Sequence, residues 1–111
     1  MPQSQERDLN REIRVLCERF GLHAFSTTTY RIPGASGRPG SSRGFPDWVI
    51  AGPRGVLFRE AKSEDGRRSM AQVRWGKVLA AAGGNYAVWR PADLASGLIE
   101  HELETIAPAG P

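Results

Sequence analysis

The pattern of apolar and polar positions divides the chain into short helices and strands. From residue 5 to residue 20, apolar residues recur at steps of three and four and Gly21 follows as a stop signal, which predicts an amphipathic helix. The stretch 22–32 is rich in Thr, Phe and Tyr and therefore favours a strand. The stretch 33–43 is rich in proline, glycine and serine and favours a flexible loop.

Two short apolar runs follow, at 46–51 and 55–61, with Gly52, Pro53 and Arg54 between them. These three residues are a turn signal, so the two runs predict a β-hairpin. A second helix is expected to begin at Ser69 and to run to residue 82. Ser69 and Gln72 have the spacing of a capping box at its start.

The remaining residues complete an α/β pattern. The stretch 85–90 predicts a strand, Asp93 is expected to cap a last helix at 94–106, and 107–111 is expected to be a frayed tail. The hairpin strands are apolar on both faces, which is typical of a sheet covered by helices on each side. The sequence therefore predicts a single α/β domain over 1–111, with the order α-β-β-β-α-β-α and a central mixed sheet of about four strands flanked by helices.

The composition makes several classes of protein improbable. The 111 residues include one cysteine, Cys17, and two histidines, so neither a disulfide framework nor a structural zinc site is expected. The first residues, MPQSQERDLN, lack the apolar core of an export signal, and no stretch approaches the roughly 18 apolar residues of a membrane span. We therefore expect a cytoplasmic protein with no membrane partner.

The net charge of +3 is distributed unevenly. Residues 31–77 carry ten basic and four acidic side chains, whereas residues 78–111 carry one basic and four acidic ones. A polyanion such as nucleic acid is the natural ligand of the basic central segment, although thirteen arginines against two lysines could instead reflect a GC-rich coding sequence. The basic residues predicted to contact such a ligand are Arg31, Arg38, Arg43, Arg67, Arg68, Arg74 and Lys77.

Two carboxylates and a lysine are expected to meet on the hairpin. Glu60 and Lys62 are two residues apart on a strand, so their side chains point to the same face. With the turn centred between Pro53 and Arg54, Asp47 lies opposite Glu60, at a Cβ separation of about 4.5 to 5.5 Å. Two carboxylates at that distance can share one cation, whereas without a cation they would repel each other.

Such a pair suits Mg²⁺, which commonly binds one or two carboxylates and completes its shell with water and phosphate. Ala61 could add its backbone carbonyl, and Lys62 could orient the nucleophile or stabilise a pentacovalent phosphorus. Each residue also has a structural alternative. Asp47 could simply begin a strand, Glu60 and Lys62 could be a solvated edge pair, and Gln72 could only cap its helix.

In these elements the chain resembles the VRR-NUC family of the PD-(D/E)xK nuclease superfamily. The resemblance spans most of the chain, and the long loop at 33–43 is one departure from it. The matching residues are Gly44, Pro46, Asp47, Phe58, Glu60, Ala61, Lys62, Ser63, Arg67, Arg68, Ser69, Gln72, Trp75, Gly84 and Val88.

The resemblance implies a restriction-endonuclease-like core and a DNA endonuclease that depends on Mg²⁺ or Mn²⁺, with no organic cofactor. It implies that Asp47 and Glu60 bind the metal, that Lys62 is catalytic and that Gln72 supports the site. It also implies an acidic metal ligand on the first helix. Glu6 is the preferred candidate, with Glu12 as the reserve, because Glu6 lies on the apolar side of that helix. Both acids could instead only be solvated.

Short standalone members of this family, found in phages and bacteria, are associated with homodimers that act on branched DNA such as Holliday junctions, in DNA repair and recombination. The resemblance therefore implies a homodimer with DNA as its partner. One alternative is a non-catalytic DNA-binding module with the same fold. Another is a sequence-specific restriction-type enzyme, for which 111 residues leave little room.

Overall fold

The computed structural model describes residues 2–28 and 43–109. The predicted strand residues 29–32, the tail residues 110 and 111, and all of the predicted loop except Arg43 lie outside these ranges. The predicted α/β class is confirmed. The elements in chain order are α1 (Pro2–Arg19), β1 (His23–Ser26), β2 (Trp48–Gly52), β3 (Gly55–Ala61), α2 (Met70–Ala81), β4 (Asn85–Trp89), α3 (Pro91–Ala95) and α4 (Leu98–Ile106).

The four strands form one mixed sheet in the order β1-β2-β3-β4. The pairs β1–β2 and β2–β3 are antiparallel and β3–β4 is parallel, which confirms the predicted mixed sheet. The hairpin closes at the pair Gly52 and Gly55, and Trp48 pairs with Arg59. The same register, continued by one residue, places Asp47 opposite Glu60, as the turn position predicted.

One face of the sheet packs against α1 and α4. Burying each large apolar side chain there stabilises the fold by roughly 1.5 to 3 kcal/mol. Within the described ranges, no helix combines the length and the hydropathy that crossing a bilayer requires. The buried apolar side chains of this core are those of Leu9, Ile13, Leu16, Cys17, Leu22, Trp48, Ile50, Leu57, Ala61, Trp89, Ile99, Leu103, Ile106 and Ala107.

The other face of the sheet is covered only in part. The helix α2 packs against β4. The ring of Phe45 joins α2 to β3 by edge-to-face contacts with Trp75 and Phe58, at centroid distances of 4.9 and 6.2 Å. Toward the hairpin turn and β1 the same face carries Val56 and Phe25, which are 43% and 54% exposed. Helices therefore lie on both sides of the sheet, as predicted, but α2 leaves part of its side open.

The predicted last helix at 94–106 is wrong in one respect, because two helices occupy this stretch. Gly97, at φ +86, separates α3 from α4, since a left-handed residue cannot continue a helix. Asp93 is the third residue of α3 rather than the cap of the last helix, and its Oδ2 accepts a hydrogen bond from the Arg90 backbone N–H at 2.8 Å. Ala107, the first residue of the predicted tail, is buried, and its carbonyl accepts from Arg54 Nε at 2.9 Å.

A buried ion pair fixes α4 to the sheet. Arg59 is 2% exposed, and its Nη2 lies 3.1 Å from Glu102 Oε1. Trp89 Nε1 donates to the same oxygen at 2.7 Å, and the Arg59 guanidinium carbon lies 5.3 Å from the centroid of the Trp89 ring. Burial lowers the pKa of Arg59, and the charge of Glu102 opposes that shift. This network lies on the α1 and α4 side of the sheet, opposite the candidate site.

Candidate functional site

The segment that carries Asp47 is fixed between β1 and α2. Gly44 has φ +87, and a Cβ there would lie 2.5 Å from the backbone carbonyl carbon of Ala71, so only glycine fits this approach. On the other side, the Thr27 backbone N–H donates to the Asp47 carbonyl at 2.8 Å, and Thr27 Oγ1 donates to the Pro46 carbonyl at 2.8 Å. Asp47 therefore has a defined position just before β2, which explains the glycine and proline that precede it.

Glu60 is the most unusual residue of the site. It belongs to β3, is 0% exposed, and neither of its carboxylate oxygens has a hydrogen-bond partner among the described residues. Burial, followed by the charge of Asp47, raises the pKa of Glu60 to about 7. The charges of Lys62 and Arg68 and the backbone of Asp47 lower it in part, although no donor lies within hydrogen-bond geometry of either oxygen.

Asp47 and Glu60 are brought together at the end of β3. Asp47 Oδ2 accepts a hydrogen bond from the Ala61 backbone N–H at 2.8 Å, so its carboxylate is held beside the residue that follows Glu60. In an extended strand the N–H and C=O groups of one residue point to the same side, so the Ala61 carbonyl leaves β3 on the side of Asp47. The structure thus brings together the two predicted acidic ligands and the predicted carbonyl ligand.

Lys62 follows β3 directly and is half-buried. Its backbone N–H donates to the Trp89 carbonyl at 3.0 Å, which continues the pairing with β4 and fixes the start of its side chain. In the part of the chain that the structure describes, no carboxylate lies within 4.0 Å of its ammonium group. Its charge nevertheless reaches Glu60, whose pKa it lowers. Lys62 is therefore a cation near the two carboxylates that no described acidic residue neutralises.

The turn after Lys62 is held by Arg90, which sequence reasoning missed. Arg90 Nη1 donates to the carbonyls of Ser63 and Gly66 at 2.7 and 2.8 Å. Glu64 adds two bonds, because its backbone N–H donates to Gln5 Oε1 at 3.0 Å and its Oε2 accepts from the backbone N–H of Ala92 at 3.1 Å. The first helix and the start of α3 thereby fix the segment that leads from Lys62 to α2. The partners of Arg90 are 24 and 27 residues away, so no local pattern signals them.

Gln72 caps the start of α2, which is the structural alternative considered for it from the sequence. Its Oε1 accepts from the Ser69 backbone N–H at 2.8 Å, and its own backbone N–H donates to Ser69 Oγ at 3.2 Å, which confirms the predicted capping box of α2. These bonds hold the side-chain oxygen at the start of the helix. A supporting role in catalysis remains a prediction for this residue.

In the described structure, the acidic residues of α1 do not join Asp47 and Glu60 in a cluster of three carboxylates. Glu6 lines an open groove of about 710 Å³ between α1 and the start of β2, together with Asn10, Thr28 and Trp48, while Glu12 is exposed. Among residues 2–28 and 43–109, no group of three or more His, Cys, Asp or Glu side chains is placed to hold a metal ion. The described site is thus a pair of carboxylates, and Glu6 as a further ligand remains a prediction.

The predicted basic residues fall into three groups. Arg43, Arg67, Arg74 and Lys77 are exposed, whereas Arg68 is half-buried beside the site. Arg31 and Arg38 lie outside the described residues. Of the tryptophans, Trp48 and Trp89 lie in the core and are at most 1% exposed.

The donor set suits a hard divalent cation. A buried carboxylate without a hydrogen bond, beside a second carboxylate and a backbone carbonyl, offers oxygen ligands of the kind that Mg²⁺ and Mn²⁺ prefer. Cys17 lies in the apolar core that α1 forms with the opposite face of the sheet. Burial there raises the pKa of its thiol to about 11, so the thiol is not reactive. The chain matches no protein-family model, no curated protein and no solved structure.

Proposed function

We propose that this chain is a Mg²⁺- or Mn²⁺-dependent endonuclease of the VRR-NUC type that hydrolyses phosphodiester bonds in DNA. The observation that carries the proposal is Glu60, a buried carboxylate beside Asp47 whose two oxygens have no hydrogen-bond partner among residues 2–28 and 43–109. A buried charge of this kind destabilises a protein by several kcal/mol unless it is paired or coordinates a metal. The resemblance to the family adds the nature of the reaction.

Two features favour a cation at this position. Burial, followed by the charge of Asp47, raises the pKa of Glu60 to about 7, and a cation bound between the two carboxylates would favour the charged form of both. The Ala61 N–H donates to Asp47 Oδ2 and so holds this carboxylate next to the end of β3, beside Glu60. Asp47, Glu60 and the Ala61 carbonyl would hold the cation and would leave positions for water and a phosphate oxygen.

The bound cation would polarise the phosphate and acidify a water molecule. In the hydrolysis, the oxygen of that water bonds to phosphorus while the bond from phosphorus to the leaving ester oxygen breaks. The attacking water loses one proton to solvent, and the leaving oxygen takes up one proton from solvent, so that atoms and charges balance. Lys62 orients the attacking water or stabilises the charge that develops on the phosphoryl oxygens. Its ammonium group suits this role because no described carboxylate lies within 4.0 Å of it.

The basic central segment supports DNA as the substrate. Arg43, Arg67, Arg74 and Lys77 are exposed, and exposed basic side chains of this kind can neutralise phosphates. From the family resemblance we further propose a homodimer selective for branched DNA such as Holliday junctions, since symmetric incision needs two sites related by a two-fold axis. The lone buried Cys17 fits a reducing cytoplasmic site of action.

The test is cleavage of a panel of labelled junction, flap, nicked, duplex and single-stranded DNAs by the purified protein with Mg²⁺ or Mn²⁺. We expect branched substrates to be cut fastest, and Asp47→Asn and Lys62→Ala to abolish cutting while DNA binding persists. If no substrate is cut with either metal, the nuclease proposal fails. Binding that persists without any cutting, and that neither variant alters, would instead identify a non-catalytic DNA-binding module.

A further inference from the structure

A second cation, Arg68, lies at the candidate site in a fixed conformation. Its side chain projects from the turn before α2, and its Nη1 lies 3.2 Å from the hydroxyl oxygen of Tyr86, to which it donates a hydrogen bond. The guanidinium carbon is 5.9 Å from the centroid of the Tyr86 ring. Both side chains are half-buried. A long, flexible side chain is thereby held by a strand residue far from it in sequence.

Gly76 of α2 leaves the space in which Arg68 packs against Tyr86. A Cβ at this position would lie 2.6 and 2.9 Å from Cε1 and Cζ of Tyr86 and 3.2 Å from Nη1 of Arg68. Real Cβ atoms essentially never approach a ring carbon this closely, so any side chain at position 76 would displace the pair. The missing side chain in a buried helical position lets Tyr86 and Arg68 stack between α2 and β4.

Tyr86 lies on the same face of the sheet as the carboxylate of Glu60. In the parallel pairing of β3 and β4, Tyr86 is the partner of Phe58 and Val88 is the partner of Glu60, so all four side chains share one face. The charge of Arg68 acts on Glu60, and the charges of Glu60 and Asp47 act on Tyr86, whose pKa is raised chiefly by burial. Arg68 is therefore near enough to the carboxylates to influence them.

The guanidinium group of Arg68 has more N–H donors than its described hydrogen bond uses. It carries five N–H groups, and within residues 2–28 and 43–109 its hydrogen-bond partner is the Tyr86 hydroxyl alone. No described carboxylate lies within 4.0 Å of it. A guanidinium group that is held in place, and that no described carboxylate neutralises, can use its remaining N–H groups to bind a phosphate beside the candidate metal site.

On the basis of the proposed function, we infer that Arg68 binds the non-bridging oxygens of the scissile phosphodiester, as a second protein cation beside Lys62. Tyr86 is a positioning residue that acts through Arg68, and Gly76 provides the space in which both are held. Arg68 then acts at the reacting phosphate rather than on the general DNA surface. It stabilises the charge that accumulates on the phosphoryl oxygens as the water attacks.

The inference is tested with Arg68→Gln, Arg68→Lys and Tyr86→Phe, and with Arg19→Gln as a charge-matched control on the exposed end of α1. We expect Arg68→Gln to lower single-turnover cleavage about 100-fold, with Arg68→Lys intermediate and Tyr86→Phe about tenfold down. Added guanidinium ion should restore part of the activity of Arg68→Gln, and added methylammonium should restore less. Arg19→Gln should cleave like the wild type.

Metal affinity gives a readout that does not depend on cleavage. Because Arg68 opposes the binding of a second positive charge, Arg68→Gln should bind Mg²⁺ in calorimetry at least as tightly as the wild type. A loss of activity without guanidinium rescue, accompanied by the same loss in Arg68→Lys and a lower melting temperature, would show a packing role and overturn the inference. So would cleavage by Arg68→Gln within twofold of the wild type. A wild-type protein that cuts no DNA would defeat the proposed function itself, and the inference with it.

Discussion

Replacing Glu60 by glutamine should stabilise the protein without metal and remove its response to metal. The substitution keeps the shape of the side chain but removes a charge that is 0% exposed and has no hydrogen bond among the described residues. The pKa of Glu60 rises from 4.5 to about 7 on folding, chiefly because of burial. The folded state therefore holds the proton more tightly than the unfolded chain does.

The sign of the pH dependence follows from this difference. Below pH 4.5 the carboxyl group is neutral in both states, and as the pH rises from 4.5 through about 7 the folded state progressively loses stability relative to the unfolded one. Each pKa unit corresponds to about 1.4 kcal/mol, so the shift from 4.5 to about 7 sets an upper limit of roughly 3.5 kcal/mol for the penalty above pH 8. We expect Glu60→Gln to recover about 2 kcal/mol, or a rise in melting temperature on the order of 10 °C for a domain of this size.

The assay is thermal unfolding at pH 5 and pH 8, in EDTA and in 10 mM Mg²⁺. In EDTA at pH 8 the variant should melt above the wild type, and at pH 5 the two should converge. Mg²⁺ should raise the melting temperature of the wild type, because it binds the folded state only, and should not raise that of the variant. A variant that melts below the wild type in EDTA at pH 8, or that keeps the full Mg²⁺ shift, would refute the reasoning.

Three further predictions distinguish the residues proposed to act in catalysis from those that stabilise the fold around them. Lys62→Ala should lower single-turnover cleavage at least about 100-fold while Mg²⁺ binding in calorimetry persists, because the lysine stabilises charge on the phosphate and is not a metal ligand. Glu102→Ala should lower the free energy of unfolding in urea by about 3 kcal/mol, because it leaves the buried Arg59 guanidinium unpaired. Gly44→Ala should cost about 1 to 3 kcal/mol in the same assay, because its Cβ would meet the backbone of Ala71.

Each of these predictions has its own contradicting result. Loss of Mg²⁺ binding in Lys62→Ala would mean that the lysine organises the carboxylates rather than the phosphate. A Glu102→Ala protein that unfolds like the wild type would show that solvent compensates Arg59, and loss of metal binding in this variant would contradict its place on the opposite face. For Gly44→Ala, unchanged stability would mean that the segment before Asp47 is not pressed against α2.

The features that the sequence predicted well depend on neighbours close along the chain. The hairpin register follows from the three turn residues, and the capping box of α2 follows from the spacing of Ser69 and Gln72. The register in turn placed Asp47 opposite Glu60. The break at Gly97 was missed because a single glycine in a helical pattern is usually tolerated, and only its positive φ shows that the helix ends there.

The features that the sequence did not predict depend on distant neighbours. The ion pair of Arg59 with Glu102 joins residues 43 apart, and Arg68 meets Tyr86 across 18 residues. The sequence around Arg59, with Phe58 before it and Glu60 after it, does not indicate whether the arginine side chain faces water or a buried carboxylate. The burial of the Glu60 carboxylate without a hydrogen-bond partner among the described residues is likewise a three-dimensional feature, because it depends on which side chains the neighbouring elements place around it.

The most direct test of the central claim is single-turnover cleavage of a labelled four-way DNA junction by metal-free protein to which Mg²⁺ is then added. The wild type should leave the junction intact in EDTA and cut it when Mg²⁺ is restored, and Asp47→Asn, Glu60→Gln and Lys62→Ala should each cut at least about 100-fold more slowly. Cutting by the wild type in EDTA, or equal cutting by all three variants in Mg²⁺, would contradict a site built from these residues.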